Sequence, residues 1–355
     1  TNGVGTTNGA TAAAIAANEI DGGHTVSLGI ALTTTETETD GIFTKSGGNK
    51  VHLVSPGSIS TSSNYSSGIY NSGSNNLVTA SGNISTTGKW ATGIKNIGDS
   101  NTTTVSGSIT TEEENAYGIH NKGDTNTTTV SGSIATGNVS SNSGRNSYGI
   151  FNEGNDNTTT LSGDITTLNW SGYGIYNKGN KNTTIMSGTF TASGTWDSSN
   201  YGIRNDGNEN ITTMSGIIST VGSSSYGIYN EGDSNTTTVS GSITTAGSSS
   251  RGIYNNGNNN TTTVSGSITT TGLNASGIYN RDNNNTTTIS GTVKATGTKS
   301  AALYNDYGSG NSFTLNEGAT IIGDILAKDY LGTAYDATNS KLIFNLGAST
   351  SYAYS

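Results

Sequence analysis

A chain of 355 residues with 51 glycines, no cysteine and only 11% charged side chains is poor in helix formers and rich in turn-forming and β-tolerant residues. The lack of cysteine excludes disulfides and thiolate metal sites, and a formal charge of −9 with 15 Lys and Arg scattered singly leaves no basic stripe for nucleic acid. No segment has the run of about 18 apolar residues that a membrane-spanning helix needs.

In chain order, residues 1–40 read as one or more degenerate coils, since TNGVGTTNGATAAAIAANEID is no convincing cap. Residues 41–310 are a repeat. The copy at 226–250 reads YGIYNEGDSNTTTVSGSITTAGSSS and the next 25 residues read RGIYNNGNNNTTTVSGSITTTGLNA. The glycine of this unit, or its replacement, falls at Gly41, Gly68, Gly93, Gly118, Gly149, Gly174, Gly202, Gly227, Gly252, Gly277 and Ala302, with seven of the ten gaps equal to 25. Residues 311–355 are again degenerate coils.

Each coil holds three short β-favouring runs, GIYN, TTTV and SITT, separated by Gly, Asn, Asp and Ser corners, and none is long enough for a helix. The expected fold is therefore all-β: a right-handed parallel β-helix, or β-solenoid, with three strands per coil and about 11–13 coils. Period-2 alternation turns Ile228, Thr237, Val239 and Ile243 inward. Degenerate coils agree with that register. Phe313 and Leu315 stand for Thr237 and Val239, and Met186 and Met214 stand for Val239, whereas Ile185 and Ile211 fall on the outward side.

The Asn after the first run recurs from Asn71 to Asn305 and is missing only at Thr44; a hydrogen-bonded ladder explains it better than a row of cation ligands. Turns such as NEGDSN (230–235) have the acidic look of calcium loops without their spacing, and read as turn chemistry. His24, His52 and His120 occupy different repeat positions and read as surface or tolerated variants, not a zinc site. Glu112, Glu113, Glu114, Asp197, Arg145 and Arg204, the groups that a glycan-cleaving β-helix could use, fall in separate coils. No catalytic residue, metal ligand or cofactor is assigned, and an enzyme is not expected.

Two surfaces are candidates for recognition. The corner between SITT and the next GIYN takes the largest insertions and carries Tyr65, Trp90, Trp170 and Trp196, as exposed aromatics on a rigid scaffold do at binding sites. On the first strand, Tyr70, Tyr176, Tyr229, Tyr254, Tyr279 and Tyr304 share one position with His120 and Phe151, outward by parity and interrupted by Lys95 and Arg204. Such a stripe stabilises its sheet and also suits glycan stacking or side-by-side association. On the second strand the outward pairs Thr236/Thr238 and Thr261/Thr263 belong to a Thr-x-Thr array that an ice-binding solenoid could use.

The segments NSFTLNEGATIIGDI (311–325) and KLIFNLGAST (341–350), following these repeats, resemble the end of an autotransporter passenger domain, the β-helical part of a type V secretion protein of Gram-negative bacteria. The resemblance covers nearly the whole chain. It implies an extracellular module at the bacterial surface, attached to a membrane only through a barrel domain absent from this chain. The expected partners are other cells, host surfaces or glycans, and further copies of itself; the rival role is a structural module of an extracellular filament.

Overall fold

A computed structural model of the chain describes residues 15–17, 23–36, 38–137, 146–168, 171–194, 199–327, 340–345 and 347. Every strand pairs in parallel with its counterpart one coil away, so the described residues form three sheets of 13, 13 and 12 strands. This is a β-solenoid of about 12 turns. With coils about 4.8 Å apart the stack is roughly 58 Å long.

The repeat with Tyr226–Glu231, Thr236–Val239 and Ser242–Thr245 gives one strand to each face. Equivalent residues sit directly above one another: Ile228 on Ile253, Val239 on Val264, Ile243 on Ile268. The stack runs on beyond residues 41–310 at both ends, through Thr25–Leu28 and Ala31–Thr34 on one side and Ser312–Asn316 and Lys341–Asn345 on the other.

The core is one continuous column of apolar, mostly aliphatic side chains. Ile228, Val239 and Ile243 are completely buried and Thr237 is 1% exposed, while Ile185 and Ile211 lie outside at 44% and 46% exposure. The inward register thus holds coil after coil. Burying an aliphatic side chain is worth about 1.5–3 kcal/mol, so a few such residues per turn suffice where neighbouring coils cover the rest.

Half of this interior is nevertheless polar. Asn230 donates from Nδ2 to Asn255 Oδ1 at 2.8 Å and to Thr237 Oγ1 at 3.0 Å. The same pair of bonds recurs along the ladder, and Thr44 joins it by donating Oγ1–H to Asn71 Oδ1 at 2.7 Å. A second buried ladder lies at the next corner, where the backbone N–H of Asn235 donates to Asn260 Oδ1 at 2.8 Å and Asn235 Nδ2 bonds the Gly232 carbonyl. Amides enclosed this way are cheap to bury because every coil supplies the partner of the next.

Simple alternation fails at one point. Gly227 drops out of the pairing register between Tyr226, set against Arg251, and Ile228, set against Ile253. A Cβ on Gly227 would lie 2.3 Å from Ile243 Cγ2 and 2.6 Å from the Gly252 carbonyl oxygen, so only glycine lets the chain pass this close to the third face. The irregularity turns both Tyr226 and Tyr229, three residues apart, to the outside.

Candidate functional site

The glycine break gives the first face three outward columns instead of two. One holds Tyr117, Tyr148, Tyr173, Tyr201, Tyr226, Arg251, Ser276 and Ala301; the next holds the predicted aromatic row; the third is charged, with Lys122, Glu153, Lys178, Asp206 and Glu231 in succession. Rings stack along the columns, as Tyr148 on Tyr173 at 4.6 Å and Phe151 on Tyr176 at 4.9 Å, and also across them, as Tyr226 against Tyr229 at 5.6 Å. At such separations aromatic pairs add about 0.5–1.5 kcal/mol each beyond burial.

This corrects the expectation of an open aromatic stripe. Tyr229, Tyr254 and Tyr279 point away from the core but are only 7–8% exposed, because the neighbouring column with Arg251, and Arg204 in their own row, cover them. Tyr70, Tyr176 and Tyr304 remain half-buried. Arg204 does not interrupt the row. Its guanidinium lies 5.3–5.6 Å from the ring centres of Tyr173, Tyr176, Tyr201 and Tyr229. It also pairs with Asp206 at 2.7 Å and Glu231 at 3.0 Å, which makes it a clip across three coils. His120 is likewise no surface variant. It stacks on Phe151 at 4.8 Å, and burial holds its imidazole down to about 4 although Glu153 pulls the other way.

At the third-to-first corner, Tyr65 and Trp90 stand above one another, 58% and 50% exposed. Their rings are 6.3 Å apart and within 9° of parallel. Both residues have left-handed backbone, φ 62° and 60°, at a position filled by Asn115, Asn146, Ser171, Ser224 and Asn274 in other coils. Asn tolerates that conformation well and bulky residues rarely adopt it. The pair is pinned by Tyr65 N–H to the Lys89 carbonyl at 2.9 Å and Trp90 N–H to the Glu114 carbonyl at 3.0 Å. Lys89 and Glu114 flank it as an ion pair at 3.7 Å. Trp170, Trp196, Arg145 and Asp197 lie outside the described residues.

The first face also carries a depression of about 560 Å³, where Ser276 and Ala301 follow Arg251 in the first column. Sequence reading missed both this hollow and the extra aromatic column. The signal was present: an aromatic precedes the repeat glycine at Tyr117, Tyr148, Tyr173, Tyr201 and Tyr226 and then stops.

Elsewhere the chemistry is structural. The Asp in NEGDSN-type turns accepts backbone hydrogen bonds from the next coil, as Asp233 Oδ1 does from Asn258 N–H at 2.7 Å. Among the described residues no group of three or more His, Asp or Glu is gathered as metal ligands. The outward Thr pairs are partly exposed, and Ile185 and Ile211 break their array. Fold and surface together define a β-solenoid repeat protein with aromatic outer features. Comparison with protein-family models, curated proteins and solved structures finds no match for this chain.

Proposed function

We propose that the protein is a non-catalytic extracellular module of a bacterial surface, of the autotransporter passenger type, that mediates adhesion through its third-to-first corner. The observation that carries this reading is the Tyr65–Trp90 pair: two parallel, half-exposed rings held in left-handed backbone on a rigid stack. Strained, exposed aromatics on a scaffold that does not need them for its core mark recognition sites. Their flat faces suit the apolar face of a sugar ring on a cell or host surface.

The test uses beads coated with the purified chain on cell monolayers and glycan-coated surfaces. Replacing both Tyr65 and Trp90 by Ser removes two anchors worth about 2 kcal/mol each at a recognition site, so adherence should fall more than about tenfold while circular dichroism and melting stay unchanged. Equal adherence of the variant would return the pair to a packing role. A second reading, a module of an extracellular filament, draws on the strand Lys341–Asn345. In it Leu342 and Ile343 are 41% and 42% exposed. Long uniform fibres in negative-stain images would favour it over isolated rods.

A further inference from the structure

We infer that the depression on the first face is a binding site for a carboxylate-bearing pyranose, such as a uronic acid unit of a glycan. The site arises where the first aromatic column stops. Arg251, Ser276 and Ala301 succeed one another in register, so the side chains shrink for two coils and leave about 560 Å³ open. Tyr279 and Tyr304 lie at the bottom, their ring centres 4.7 Å apart and their planes tilted by 40°; Arg251 covers Tyr279, and the half-buried Tyr304 is the open ring. Asn274 and Lys299 stand along one side on the third-to-first corner, and Leu326 closes the far end.

The charge balance of this hollow differs from that of the rest of the face. Arg204, two coils from Arg251 on the same face, is matched by Asp206 and Glu231. Arg251 lies 4.1 Å from the Tyr279 ring centre and 4.5 Å from that of Tyr254, and it bonds the Tyr226 hydroxyl at 2.8 Å. No carboxylate among the described residues pairs with it, nor with Lys299. Asp324, which follows Ala301 in the column, is exposed and does not line the hollow. Two cations without a carboxylate partner, the open ring of Tyr304 and a rim of hydroxyl and amide groups are complementary to a sugar ring that carries one negative charge: the tyrosine stacks on its apolar face, the rim bonds its hydroxyls and the cations take the carboxylate. A neutral sugar would leave the cations unused, and a bare anion would leave the tyrosine unused. This inference is independent of the corner aromatics.

The experiment is titration of the purified chain with an oligosaccharide containing glucuronate and with its glucose counterpart, followed by calorimetry. Saturable binding of the acidic sugar, at least about tenfold tighter than the neutral one and weakened by salt, is expected. Ser276→Tyr rebuilds the column that the upstream coils carry and fills the hollow while both cations remain. It should abolish binding and leave the fold intact by circular dichroism. Lys299→Gln, at an exposed corner position, should narrow the preference for the acidic sugar. No saturable binding at millimolar sugar, equal affinity for both sugars, or unchanged binding by a folded Ser276→Tyr variant would each overturn the proposal.

Discussion

At single residues, the outer columns hold two half-buried ionisable groups that titrate in opposite senses. Burial keeps the His120 imidazole neutral down to about 4, against an ordinary 6.5. The stability it contributes is whole above pH 6.5 and is lost as pH falls toward 4. Asp40 sits in the first column, where burial pushes its carboxyl up to about 6 despite the hydrogen bond it accepts from Ser67 N–H and the charge of Lys95. Its stabilising effect is whole below about pH 4 and is lost as pH rises through 6. The two slopes therefore oppose one another in the parent chain. Glu153 is common to all variants. Its burial is outweighed by Lys178 and Lys122, which hold it below its usual range, so its contribution is lost as pH falls below about 4.5, in the same sense in every variant. His120→Phe should therefore make the protein less stable at pH 6.5 than at pH 4, and Asp40→Asn should do the reverse. Urea midpoints at the two pH values check this; two flat profiles would show that neither group carries the effect.

Within the strands, hydroxyls of one residue type serve two ends. Thr237 accepts from Asn230 inside the core, whereas the buried Oγ1 atoms of Thr220, Thr245 and Thr270 on the third face have no hydrogen-bond partner among the described residues. Ala192 and Ala295 occupy that third-face position in other coils. Thr245→Val should consequently be neutral or stabilise by up to about 1 kcal/mol, because it removes an unsatisfied hydroxyl and keeps the shape. Thr237→Val should cost about 1–3 kcal/mol, since an amide hydrogen of Asn230 then faces a methyl group. Equal denaturation midpoints for the two variants would contradict this division.

The same elements mark what can be read without coordinates. Ile228, Val239 and Ile243 announce their inward side because two-residue alternation survives in the TTTV and SITT runs, and the Asn ladder announces itself by recurrence. Tyr226 does not. The break at Gly227 cancels the alternation that would have placed it, and nothing in the local pattern says that a glycine is squeezed against Ile243 from another face. Tyr65 and Trp90 are visible as corner aromatics, but their common left-handed backbone and parallel rings depend on stacking between coils. The hollow beside Arg251 was hardest to foresee. It is made by the smallness of Ser276 and Ala301, which matters only once the rings upstream are known to form a wall.

For the molecule as a whole, pairing only between adjacent coils has a mechanical consequence. A load applied along the axis meets one turn at a time, because no described coil is strapped to any but its neighbours. Peeling a 25-residue turn from an end frees roughly 80–85 Å of chain once its thickness in the stack is subtracted. The 31-residue turn between Gly118 and Gly149 should yield about 20 Å more. Single-molecule pulling should give a ladder of near-equal extensions broken by that longer step, whereas one all-or-none rupture would show that the coils share their cooperativity over longer distances. A stack built this way lengthens under tension by shedding turns and restores itself by rewinding onto the template that is left, so a pull dissipates energy before the remaining coils bear it.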